Sequence, residues 1–89
     1  MGLLGESFIV TEKVVSNEFV KVVPPQACNG VIIQARTSVD LRIKKKSTDT
    51  DYFTILADSP FEMDVSMSIG NEFFLYAESQ TIVEFLWLI

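Results

Sequence analysis

There is no histidine anywhere in the 89 residues. That removes the commonest general base at neutral pH and the commonest zinc ligand, and it rules out Ser-His-Asp and Cys-His catalytic arrangements. The single cysteine, Cys28, can neither close an internal disulfide nor assemble a zinc or iron-sulfur site. It reads as a small buried hydrophobe, with an interchain disulfide the less favoured reading. The four glycines are scattered and none opens a phosphate-binding loop. Nothing in the chain calls for a cofactor.

Long apolar runs are also missing. No stretch approaches the roughly 18 residues that cross a bilayer, and "MGLLGESFIV" lacks a basic n-region and a long apolar h-region. The expectation is a mature, soluble chain made in the cytoplasm, with no membrane partner. Basic residues are few: 7 Lys and Arg face 12 Asp and Glu, a net charge of -5. Direct nucleic-acid binding, which needs clustered cations, is not expected as the main role.

What the chain does have is apolar residues in alternation. Hydrophobic residues make up 48% and mean hydropathy is +0.31, high for a soluble domain this small. By size scaling, such a chain buries only about 60 to 65% of its unfolded surface, so some apolar surface is expected to be buried between subunits. Period-two patterning dominates and helical periodicity is nearly absent. "FEMDVSMSI" places Phe61, Met63, Val65, Met67 and Ile69 on one face, and "VDLRIK" repeats the logic with Val39, Leu41 and Ile43. "YFTIL" returns after the polar hairpin loop "KKSTDTD", "GVIIQA" reads as a central strand, and "FIVTEKV", "EFVKVV" and "FFLYA" add three more. With the terminal "TIVEFLWLI", the expectation is an all-β single domain, a compact antiparallel β-sandwich or jelly roll of about eight short strands, with an up-and-down meander as the alternative. Residues 7–89 form this domain and residues 1–6 a candidate N-terminal arm.

Candidate chemistry is thin. Glu62 and Asp64 share a strand face, but a wet face gives neither carboxylate a reason to stay protonated. Asp49 and Asp51 resemble part of a calcium loop without its closing glutamate and glycine, so a charged hairpin tip is the better reading. Lys44, Lys45 and Lys46 read as a solvated strand end that resists edge-to-edge aggregation, or as a charged contact patch together with Asp49 and Asp51. The aromatics Phe73, Phe74, Tyr76, Phe85 and Trp87 suit a sugar-stacking platform only where alternation sends them outward.

The terminal strand is the strongest clue. Val83, Phe85, Trp87 and Ile89 fall on one face and Ile82, Glu84, Leu86 and Leu88 on the other, so both faces are apolar apart from Glu84. One face completes the core, and the other needs a sister subunit or the N-terminal arm. Phe85 and Trp87 are its anchors, or Leu86 and Leu88 with Ile82 in the opposite register, and Leu3, Leu4 and Phe8 cap it or grip a neighbour. Glu84 is expected at the rim of that contact or paired with a cation.

From Val20 to Ile89, the succession "PPQACNG", "VIIQA", "VDLRIK", a loop, "FEMDVSM" and "FFLYAESQTIVEFLWL" resembles small virion proteins of tailed bacteriophages, the capsid cement or decoration proteins and related head-fibre pieces. It departs from them in placing Lys44 to Lys46 where a small, glycine-containing segment is expected. The resemblance implies a non-enzymatic trimer, bound to the major capsid protein lattice on the virion surface and stabilising it. A carbohydrate- or receptor-binding β module of a fibre or secreted protein is the alternative.

Overall fold

The eight strands that period-two alternation marks out are paired across the chain by folding it double. In the computed structural model, residues 7–63, 66 and 70–89 are described, and they form β1 (Phe8–Val15), β2 (Val20–Val22), β3 (Gly30–Ala35), β4 (Leu41–Lys44), β5 (Phe53–Ile55), β6 (Phe61–Met63), β7 (Phe73–Ala77) and β8 (Thr81–Leu88). No helix occurs among them. β1 pairs with β8, β2 with β7, β3 with β6 and β4 with β5, all antiparallel. This long hairpin is rolled so that β3 also pairs with β8 and β4 with β7. Two four-stranded sheets result, ordered β1-β8-β3-β6 and β2-β7-β4-β5. That is the eight-stranded jelly-roll order, and it excludes the meander, in which sequence neighbours would lie side by side.

Turn chemistry starts the folding back. Between β4 and β5, the Asp49 carboxylate accepts from the Lys46 backbone N–H at 3.0 Å while Asp49 N–H donates to the Lys46 carbonyl at 3.1 Å, closing a compact turn. Pro24, which cannot donate to a ladder, lies buried in the connection from β2 to β3. The expected strand from Phe61 is described to Met63; Asp64, Val65, Met67 and Ile69 lie outside the described residues.

The core is the space between the two sheets. Val31 and Ile33 from β3, Leu41 from β4, Phe73, Leu75 and Ala77 from β7, and Val83, Phe85 and Trp87 from β8 are all buried there, with Cys28 at its margin. Phe85 and Trp87 stack at 5.7 Å between centroids, and Phe73 reaches across from the facing sheet to within 6.4 Å of each. Such aromatic contacts contribute about 0.5–1.5 kcal/mol beyond area burial. Thr81, the one buried polar side chain among the described residues, is satisfied by a 2.7 Å hydrogen bond from the Thr37 hydroxyl.

Candidate functional site

Which face of β8 belongs to the core is decided by its odd-numbered residues: Phe85 is 1% exposed and Trp87 0%. These two side chains therefore do not anchor a contact with another subunit, a correction to one of the two registers the alternation allowed. The indole needs a partner when it is enclosed, and its Nε1–H donates to Thr11 Oγ1 at 2.8 Å.

The even-numbered residues form the outer face, and the neighbouring strands extend it. In the β1·β8 ladder Phe8 lies opposite Leu88, Val10 opposite Leu86 and Val14 opposite Ile82; from β3, Ile32 also lies opposite Leu86. Phe8 is 50% exposed, Val10 61% and Val14 56%, while Ile32, Ile82, Leu86 and Leu88 are half-buried by their strand neighbours. An isolated exposed hydrophobe is ordinary, whereas a run such as Phe8, Val10, Ile32, Leu86 and Leu88 across three paired strands is not; Val14 and Ile82 lie beyond the Glu12–Glu84 pair that interrupts the face. Phe8 contributes as the first residue of β1 and not as part of an arm. Leu3 and Leu4 lie outside the described residues.

Glu84 sits in the middle of this face and is held by two donors from the β3 side. Gln34 Nε2 donates to its Oε1 at 2.9 Å and Arg36 Nε to its Oε2 at 3.0 Å. The Gln34 hydrogen bond first and the Arg36 hydrogen bond second hold its carboxyl below the ordinary glutamate value, against a smaller opposing cost of desolvation. Arg36 also donates through Nη2 to Glu12 Oε2 at 2.8 Å, and the bonds to Glu84 and then Glu12 hold the guanidinium pKa above its ordinary value. Glu12 lies opposite Glu84 in the ladder, so without Arg36 two carboxylates would face each other. The expected pairing of Glu84 with a cation is met within the chain.

The charged loop is largely used internally. Lys44 Nζ donates to the Ser47 and Asp49 carbonyls, each at 3.2 Å, and lies 4.1 Å from the Phe19 ring centroid. Lys45 Nζ donates to the Glu72 carbonyl at 3.0 Å. Asp49 closes the turn, and Lys46 and Asp51 remain exposed. Among the described residues, no cluster of acidic or sulfur side chains is arranged to hold a metal ion.

No protein-family model matches the chain, and no curated protein sequence matches it. Its surface chemistry is the available guide.

A second outer face, on the β2-β7-β4-β5 sheet, differs in character. Of the aromatics considered as a platform, Phe73, Phe85 and Trp87 are core, while Phe74 and Tyr76 point outward, where Lys21 and Lys44 lie opposite Phe74 and Arg42 lies opposite Tyr76. The Arg42 guanidinium sits 4.8 Å from the ring centroid of Tyr52 and 4.8 Å from that of Tyr76, and its Nη2 donates to Glu78 Oε2 at 3.1 Å. Phe19 continues the row 5.3 Å from Tyr76. Sequence reasoning missed Arg42, Tyr52 and Phe19 as partners, because they come from three separate segments that only the β4·β5, β4·β7 and β2·β7 pairings bring together.

Proposed function

We propose that the chain is a non-enzymatic structural subunit that works as an oligomer, its copies joined through the outer face of β1, β8 and β3. The observation that carries this reading is the apolar surface of Phe8, Val10, Leu86 and Leu88, continued by Val14 and Ile82 beyond the Glu12–Glu84 pair. A small domain gains by covering such a surface, since what the monomer cannot bury an assembly can. A second copy suits the face because its polar centre is already paired. Closing the contact over Glu84 and Arg36 leaves neither charge without a partner. Glu12, held by one ion pair, can also accept from the Arg36 of a neighbour.

The wider reading follows the resemblance to phage cement and decoration proteins. In it the oligomer, three-fold by that resemblance, binds neighbouring major capsid proteins on the virion surface and adds contact area that resists internal DNA pressure. Many modest contacts acting together would give durable attachment. The jelly-roll order agrees with the architecture that the resemblance implies. Light scattering on a sizing column tests the assembly: a stable oligomer at micromolar concentration is expected, and a monomer at that concentration overturns it. Co-sedimentation with phage capsids tests the attachment, which a protein left wholly in the supernatant overturns.

A further inference from the structure

The groove on the outer face of the β2-β7-β4-β5 sheet has an unusual lining for a surface of this size. It encloses about 300 Å³ among Asp40, Arg42, Tyr52, Thr54, Tyr76, Glu78 and Ser79. Arg42 is fixed on three sides, by two tyrosine rings and the Glu78 carboxylate. Among the described residues its hydrogen bonds go to Glu78 alone, so further N–H donors of the fork remain for a ligand. Acceptors flank it in Asp40 and Glu78, and the hydroxyls of Thr54, Ser79 and the two tyrosines can serve either way. Tyr52 stays 47% exposed, keeping a large apolar ring at the rim of a polar groove.

We propose that this groove is a saccharide-binding site for a neutral sugar. A pyranose ring presents hydroxyls that both donate and accept around its edge, and C–H faces that pack on aromatic rings. The groove offers the matching set: a fixed guanidinium, carboxylates, hydroxyls and an exposed tyrosine. The charge balance selects the class of ligand. One cation set against the carboxylates of Asp40 and Glu78 disfavours a phosphate backbone or an acidic sugar and leaves a neutral polyol as the complementary partner. Because the groove lies on the sheet opposite the apolar face, an assembled oligomer would keep it open to solvent. The inference is independent of the assembly proposed above.

The test is a titration of the isotope-labelled full chain, followed by amide resonances. The probes are chitohexaose, maltohexaose and cellohexaose, with hexagalacturonate and a thymidine decanucleotide as anionic comparisons. At least one neutral oligosaccharide is expected to give saturable shifts centred on Tyr52, Thr54, Tyr76 and Ser79. Trp87 emission should stay unchanged, since that ring is buried between the sheets. Tyr52→Ala, at an exposed ring, should weaken binding by about tenfold while the fold persists by circular dichroism, with the melting temperature lowered only by the loss of the ring's contact with Arg42. Thr54→Arg, which fills the groove from an exposed strand position, should abolish binding. A Leu86→Asp variant should bind the sugar as the parent does, whatever its oligomeric state. Absence of shifts with all three neutral sugars, shifts mapping to β1 and β8, or binding of the anionic probes alone would each overturn the proposal.

Discussion

Trp87 Nε1 donates a 2.8 Å hydrogen bond to Thr11 Oγ1, joining the most buried aromatic of β8 to its neighbour β1. The bond explains why a polar residue sits on the core side of β1. Thr11→Val keeps the shape and removes the acceptor, leaving an enclosed indole N–H unpaired. A loss of about 1–3 kcal/mol is expected in urea unfolding. Trp87→Phe leaves a cavity in either background, but it should cost less in Thr11→Val than in the parent, because the orphan donor disappears with the indole; a purely additive double mutant would show that the bond contributes nothing.

Phe73 is the ring that crosses from one sheet to the other. Phe73→Ala should open a cavity against Phe85 and Trp87 and cost about 3–5 kcal/mol by calorimetry, a large part of the stability of a domain this size. Truncation of Leu56, which is 64% exposed, should change stability by less than about 0.5 kcal/mol.

Leu86 tests the apolar face without touching the core. Leu86→Asp places a charge between Val10 and Ile32, and it should convert the proposed oligomer to monomer on a sizing column while the fold persists by circular dichroism. The monomer itself should lose only about 1 kcal/mol, the range over which strand preferences act. An assembly that survives the change would move the contact elsewhere.

Glu84 gives stability a direction with pH. Its folded pKa lies below the ordinary glutamate value, so its contribution is present above the unfolded pKa of about 4.3 and is lost as pH falls through the folded value. Glu84→Gln should flatten the acid limb of a plot of unfolding midpoint against pH below about pH 5, leaving the neutral region shallow in both proteins. Arg36, with its pKa raised, stays charged throughout and adds no step of its own. Raised salt should weaken the exposed Glu12 ion pair more than that of the less exposed Glu84.

Cys28 is a free, buried thiol and reports on opening. Its reaction with a thiol reagent should be slow in native buffer and accelerate with urea in step with unfolding. Rapid native labelling would mean that the connection before β3 opens on its own.

Much of this architecture was legible as a pattern. Apolar runs rich in β-branched and aromatic residues, bounded by turn residues, located β3, β7 and β8 almost to the residue, because such side chains fit a packed, pleated surface. Alternation marked Glu84 as the polar residue of an apolar face, to lie at the rim of a contact or pair with a cation, and Arg36 is that cation. The absence of histidine and of clustered cysteine excludes Ser-His-Asp and Cys-His arrangements and cysteine-ligated zinc or iron-sulfur sites.

Other features had no local signal. Where both faces of a strand are apolar, alternation carries no sign, so only packing against Phe73 from the facing sheet could assign Phe85 and Trp87 to the core and Leu86 to the surface. The jelly-roll order likewise rests on pairings such as β1 with β8, between segments at opposite ends of the chain. Arg42 between Tyr52 and Tyr76 exists only because β5 and β7 flank β4. A strand's neighbours along the chain determine that it is a strand; its neighbours across the sheet decide which side of it is exposed.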